Sequence, residues 1–411
     1  MPDFSALFSI NAKGMKASAI REILKLTLKP EMISFAGGLP SPDVFPVEDL
    51  RDAANRVFDS QAKKALQYGT TEGDNTLKEE LIKFESKQGV KLETKNLLVV
   101  SASQQALDIT SKVFLDPGDC VIAERPTYLG AIQAIQSYSG NIMSVELTKE
   151  QDGFDMGVLE RKYAEALKQG KRIKYIYVIP DFQNPAGFCW SLQNRKALLE
   201  FAYKTGIPIV EDSPYREIRF IGDHIPSIYQ LDQQGANGGL VINLKTFSKI
   251  LIPGARMGWI MAHEDLIAKF VIAKQAMDLC TNVFTQCWVA EYMKTGKLYG
   301  VIEATARLYC EKRNLMLAAL ERYMPKHQEI RWTKPEGGLF LWITLPRTIN
   351  TDQLLLKAIE RNVAFVAGSG FYFDEPEHNS MRINFSFATP EQIDEGIKRL
   401  GNTIEEALQG K

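Results

Sequence analysis

The segment Thr246-Phe247-Ser248-Lys249, followed by Pro253-Gly254-Ala255-Arg256, carries the most concentrated chemistry in the chain. A lysine closes an apolar run, two hydroxyls precede it, and an arginine stands seven residues beyond it. Hydroxyls, glycine and arginine suit a phosphate, because each offers hydrogen-bond donors and an arginine forks onto oxygens. A lysine beside such a cup has two chemical uses: a point charge for a nucleotide, or a nucleophile that joins the carbonyl of a cofactor. The P-loop pattern G-x-x-x-x-G-K-[ST] is absent, which weighs against the nucleotide. A surface-loop lysine is the plain alternative for this stretch taken alone.

Other candidates sit at similar junctions. Ser101-Ala102-Ser103-Gln104-Gln105 leads from an apolar run into a helical pattern. Small residues there leave N–H groups free at the positive end of a helix, an anion site, although a serine at a helix start is more often just a cap. Asp212 and Tyr215, in Asp212-Ser213-Pro214-Tyr215, can reach one ligand, the acid pairing with a cation; a solvated strand-end acid is the bland reading. Asn184 opens Asn184-Pro185-Ala186-Gly187, which alone reads as a turn. Tyr128 either stacks on a flat ring or packs in the core. Together they are the parts of a pyridoxal phosphate site. The lysine holds the aldehyde, the aspartate keeps the ring nitrogen protonated, and phenol and amide hold the ring hydroxyl.

Such a site needs a scaffold that gathers strand ends. From about residue 75 to 265, apolar runs at 97–100, 120–123, 175–179, 207–210, 240–244 and 259–262 alternate with helical patterns, as in a mostly parallel sheet covered on both faces. Ligands bind beyond the carboxyl ends of such strands, where Ser101, Asp181, Asn184, Asp212 and 245–249 collect. Residues 17–28 predict a helix within an N-terminal arm of about 45 residues, and 298–323 predict a long helix. Strands at 339–343 and 381–385, then a helix after Thr389-Pro390-Glu391, predict a smaller α+β domain. The expected division is an arm at 1–45, a large cofactor-binding domain at 46–295 and a small domain at 296–411.

Composition mostly excludes partners. With 411 residues, 45% hydrophobic, 24% charged and a net charge of −1, the chain reads as a soluble globular protein. At roughly 150 residues per domain, the length suggests two or three domains. Near-neutrality argues against a nucleic-acid partner, and no run of apolar residues is long enough to span a membrane. Five scattered cysteines without a C-x-x-C predict reduced thiols and a cytoplasmic setting. Four histidines lack metal-ligand spacing, so no metal is expected. Gly368-Ser369-Gly370 lacks the strand and helix context of a dinucleotide site.

Nearly end to end, the sequence resembles the fold type I, class I/II aminotransferases that depend on pyridoxal 5′-phosphate, and among them the α-aminoadipate and kynurenine aminotransferases. The resemblance is carried by SAIREILKLT, SFAGGLPSPDVFP, LQYGTTEGDNTLKEEL, SASQQALDI, FQNPAGF, VEDSPYREIRF, TFSKILIPGARMGW, PEGGLFLWITLP and MRINFSFAT. It implies an α/β fold with a mostly parallel seven-stranded sheet between helices, plus the smaller α+β domain. By the same resemblance Lys249 holds the cofactor and shuttles the proton, and Asp212 pairs with the pyridine nitrogen. Tyr215 and Asn184 contact the ring hydroxyl, and Tyr128 stacks on the ring. Ser103, Gln104, Thr246, Ser248 and Arg256 hold the phosphate. Tyr68 reaches a phosphate in a neighbouring subunit, which implies a homodimer with shared sites. Arg382, with Asn184, binds the substrate α-carboxylate, while Gly38 and Leu39 line the substrate pocket. Arg21 meets the distal carboxylate of a dicarboxylic substrate, or else is a solvated helix-face arginine. Ala186 and Ser213 stand where the family often has threonine and an acid.

The implied activity is transfer of an amino group from a 2-aminoadipate, aromatic or branched-chain amino acid to 2-oxoglutarate. A β-lyase on the same scaffold is the alternative. Transcription regulators also carry such a domain behind a winged helix, but the matching begins near residue 17, so no room for that module is expected.

Overall fold

Seven short runs of mostly β-branched and aliphatic residues assemble the central sheet of the computed structural model, which describes residues 4–15, 31–235 and 238–410. The strands are β1 Leu97–Val100, β2 Cys120–Glu124, β3 Asn141–Val145, β4 Ile173–Val178, β5 Ile209–Asp212, β6 Val241–Thr246 and β7 Gly258–Met261. Their order is β1-β7-β6-β5-β4-β2-β3. Every neighbouring pair is parallel except those of β7, which runs antiparallel to β1 and β6. All residues of β1, β2, β5, β6 and β7 are buried, as helices on both faces require.

Strand β3 was not expected from the sequence. Asn141 is exposed and the run is short and mixed in polarity, which suits an edge strand paired only with β2. Boundaries also move by a residue or two. Asp212 is the last residue of β5, and Lys249 sits on the single helical turn Phe247–Ile250 that follows β6 rather than on the strand itself.

A second sheet contains β8 Arg331–Trp332, β9 Phe340–Thr344, β10 Val366–Ala367 and β11 Ser380–Asn384, ordered β10-β11-β9-β8 and antiparallel throughout. Helices Leu298–Tyr323 and Pro390–Leu408 pack together beside it. The latter starts in a capping box between Thr389 and Gln392, with Pro390 in its first turn. Near the N-terminus, Ile33–Ser34 pairs in parallel with Val363–Ala364. The predicted helix at 17–28 lies outside the described residues. Among the described residues, no helix is long and apolar enough to cross a membrane.

Two polar residues expected at the ligand end of the sheet are turned away from it. Asp181 is buried against Arg195, at 2.8 Å, and Arg216, at 3.0 Å. Burial alone would raise its pKa, yet the two guanidiniums hold it well below the usual carboxylate range. Lys245 Nζ is buried between Glu85, at 3.0 Å, and Glu217, at 2.8 Å. Arg195 also donates to the Pro180 and Trp190 carbonyls, so it bounds the loop that carries Asn184. Arg195→Met should therefore cost about 3 kcal/mol, because it leaves a buried carboxylate short of a partner. Denaturant unfolding checks this, and an unchanged midpoint contradicts it.

Candidate active site

At the carboxyl ends of β4, β5 and β6 lies a cavity of about 340 Å³. Its wall includes Gly38, Leu39, Ser103, Gln104, Tyr128, Asn184, Asp212, Tyr215, Thr246, Ser248, Lys249, Arg256 and Arg382. These come from widely separated stretches of sequence, joined only by the fold.

One end is built for an anion. Helix Ala102–Phe114 points its first turn into the cavity, and Ser101 makes no side-chain cap there, contrary to the commoner role of a serine at that position. The buried Ser103 hydroxyl has no hydrogen-bond partner among the described residues. Across from it, Thr246 Oγ1 lies 2.9 Å from Ser248 Oγ and accepts from the Ser248 N–H at 3.1 Å. Arg256, in a left-handed backbone conformation with φ 45°, brings Nη1 to 3.5 Å from Ser248 Oγ. Free N–H groups, an unpartnered hydroxyl and a guanidinium converge as a phosphate requires.

The middle holds a carboxyl and an amine. Asp212 Oδ2 accepts from Tyr177 Oη at 2.8 Å, while its buried Oδ1 has no partner among the described residues. Burial pushes this carboxyl up to about 7, against the pull of the Tyr177 bond. Lys249 Nζ donates to the Gly38 carbonyl at 2.7 Å. Burial, and then the positive Arg382 and Arg256, bring its amine down to about 8. Tyr128 ends the turn into helix Leu129–Gln136, and Gly130 lets it lie close: a Cβ at Gly130 would stand 2.5 Å from the Tyr128 ring and 2.7 Å from Gln104 Oε1.

At the far end Arg382, 1% exposed, donates from Nη1 to Asn184 Oδ1 at 2.8 Å and from Nη2 to the Ala36 carbonyl at 2.7 Å. Its Nε is buried without a partner among the described residues. The guanidinium lies 4.2 Å from the Phe340 ring centroid, and burial lowers its pKa to about 10. Asn184 Nδ2 reaches Tyr215 Oη at 3.4 Å, so one amide links the tyrosine to the arginine. Burial holds the Tyr215 phenol above its ordinary range, keeping it protonated.

The pattern of the family "Aminotransferase class I and II" matches residues 30–400. Aromatic-amino-acid aminotransferase 1 of Thermococcus litoralis is 44% identical, covering 99% of this chain and 96% of its own. A kynurenine aminotransferase of Pyrococcus horikoshii, solved in complex with PMP, superposes with a TM-score of 0.92 at 44% identity, covering 99% and 98% of the two chains. The α-aminoadipate aminotransferase of Thermus thermophilus, complexed with N-(5′-phosphopyridoxyl)-L-leucine, gives 0.91 at 38%, over 100% of both chains. The chain belongs to the class I and II aminotransferases. It is a pyridoxal-phosphate-dependent enzyme of fold type I.

The aminotransferase cavity has the charge its cofactor needs. Lys249, Arg256 and Arg382 face it with Asp212 as the one acid among the described lining residues, which complements a phosphate, a substrate carboxylate and a protonated ring nitrogen. The unpartnered Asp212 Oδ1, Ser103 Oγ and Arg382 Nε mark three points where such groups fit. Two expected residues are not brought in. Tyr68 is 81% exposed and absent from its own chain's cavity wall, and Arg21 lies outside the described residues. Sequence patterning also passes over Tyr177 and Phe340. The one signal for Tyr177 is the alternation Tyr175-x-Tyr177 in a strand whose other buried residues are aliphatic. Phe340, edge-on to Tyr215 at 5.8 Å, reads only as a strand residue.

Only a neutral amine attacks a carbonyl. Lys249, lowered to about 8, becomes neutral as pH rises through that value. Cofactor-free protein should therefore capture pyridoxal phosphate faster as pH rises to about 8 and level off above it. Stopped-flow absorbance checks this, and a rate flat across the range contradicts it.

Proposed function

We propose that the enzyme moves an amino group from aromatic, branched-chain or 2-aminoadipate-type amino acids to 2-oxoglutarate. The observation that carries this reading is the single cavity in which Lys249 and a half-unpartnered Asp212 lie between an anion cup and the buried Arg382. The donor classes are supported by relatives named for aromatic amino acids, kynurenine and 2-aminoadipate.

When bound, pyridoxal phosphate supplies an electron sink for the charge left on the substrate α-carbon. In our assignment Asp212 keeps the ring nitrogen protonated, so that the sink stays deep. Tyr215 and Asn184 hold the ring hydroxyl, Tyr128 covers the ring face, and Ser103, Gln104, Thr246, Ser248 and Arg256 hold the phosphate. Arg382, braced by Asn184 and the Ala36 carbonyl, takes the α-carboxylate and orients the α-hydrogen toward Lys249. Lys249 would take the α-proton and hand it back; an amine lowered to about 8 suits both directions near neutral pH. Gly38 and Leu39 form the lip of the side-chain pocket. Arg21 meets the distal carboxylate of a dicarboxylic donor.

We further assign an arm at 1–45, a large domain at 46–295 and a small domain at 296–411, a division supported by the separation of the seven-stranded from the four-stranded sheet. A homodimer with shared sites is supported by Phe58, Leu66 and Tyr68, which are exposed beside a small separate apolar cluster of Val57, Ala65, Val283 and Cys287. In that dimer Tyr68 reaches the partner's phosphate. Five unpaired cysteines support a cytoplasmic location.

Borohydride reduction of the holoenzyme followed by peptide mapping should place the cofactor on Lys249, and Lys249→Ala should retain none after denaturation. A label on another lysine overturns the site. In a donor panel with 2-oxoglutarate, Arg21→Ala should lose about tenfold or more in kcat/KM for dicarboxylic donors, the scale of one charged hydrogen bond, and keep its rates with apolar donors. Equal losses for both would remove Arg21 from the pocket.

A further inference from the structure

We propose that Tyr177 is a positioning residue for the cofactor ring: it fixes the rotation of the Asp212 carboxylate and keeps it ionised, so that Oδ1 alone is presented to the ring nitrogen. The proposal rests on Asp212 being the partner of that nitrogen.

The geometry is specific. Tyr177 lies on β4 and Asp212 ends β5, its parallel neighbour. Tyr177 is fully buried and absent from the cavity wall, whereas Asp212 is part of it. The phenol therefore stands behind the carboxylate and touches the ligand space only through it. Its 2.8 Å bond occupies Oδ2, and among the described residues no other donor bonds Asp212. A carboxylate with one donor has one preferred rotation; with none it is free to turn, and burial favours its neutral form. A neutral acid cannot hold a protonated ring nitrogen.

The other phenol on the same strand provides a control. Tyr175 Oη lies 3.1 Å from Ser111 Oγ, inside helix Ala102–Phe114 and away from any carboxylate. Another strand-end acid, Glu124 on β2, is no substitute for Asp212. It is spent on Trp190 Nε1 at 2.8 Å and the Ile179 N–H at 3.2 Å, and burial raises it to about 8.

The test uses two cofactors: pyridoxal 5′-phosphate and its 1-deaza analogue, in which C–H replaces the ring nitrogen. Equilibrium affinity for cofactor-free protein is measured for wild type, Tyr177→Phe and Tyr175→Phe, with folding checked by circular dichroism. Wild type should prefer the natural cofactor. Tyr177→Phe should lose about tenfold in affinity for it, while its affinity for the deaza analogue stays within about twofold of wild type. Tyr175→Phe should change neither. In an Asp212→Asn background, Tyr177→Phe should cause no further loss. Equal losses with both cofactors would mean that Tyr177 only supports the fold, and no loss with either would remove its role. If wild type does not distinguish the two cofactors, the assignment of Asp212 itself falls.

Discussion

A carboxyl buried to 2% exposure, with one oxygen bonded and the other left open, is the constraint on which this site depends. Burying an unpaired ionisable group costs free energy, and a protein usually removes that cost by pairing the group or neutralising it. Here the fold leaves it half removed. Three strands make that arrangement possible: β4 supplies the phenol, β5 the acid, and β6 the turn that carries Lys249. Because they are parallel neighbours, they end at one edge of the sheet, and side chains far apart in sequence meet there.

The second sheet and the N-terminal segment complete the other half. Arg382 projects from β11 and is covered by Phe340 of β9, while its guanidinium bonds the Ala36 carbonyl and Asn184. A guanidinium over an aromatic face loses less by leaving water than an ammonium does, because it is more weakly hydrated and attracted to the ring. Asn184 bridges the halves, accepting from Arg382 and donating toward Tyr215. The backbone of 36–38 bonds both Arg382 and Lys249, so this segment is a wall of the site and not merely a leader to it.

Much of this was legible from residue order, for a physical reason. Lys249, Asp212 and Asn184 each follow an apolar run, and a polar residue that ends a buried strand emerges at the sheet edge. Helix Leu298–Tyr323 and the capped helix after Thr389 were legible because periodicity and caps are local signals. The role of Tyr177 was not. A tyrosine suits any half-buried strand, and its meaning comes from an acid 35 residues away. The edge strand Asn141–Val145 was hidden for a related reason: with one neighbour and an exposed end, it lacks the unbroken apolar pattern of a central strand. Ser101 misled in the opposite sense, since the local rule predicts a cap and the site leaves that helix start open.

Asp181 and Lys245 show why position alone does not identify a functional charge. Both sit at or just beyond strand ends, as Asp212 and Lys249 do. Asp181 is matched by Arg195 and Arg216, and Lys245 by Glu85 and Glu217. Paired in this way, they hold their ordinary charge states: Asp181 is driven further toward its anion, and Lys245 further toward its cation despite burial. The cavity groups move the opposite way, the acid toward neutrality and the amine toward its free base, because burial outweighs what the described neighbours offer. A matched buried charge rigidifies a scaffold and has little left to offer a ligand. An unmatched one stores a desolvation cost that a complementary charge relieves on binding. On that criterion Asp212, Lys249 and Arg382 differ from the paired charges of Asp181 and Lys245, and they converge with the Ser103 hydroxyl on one cavity.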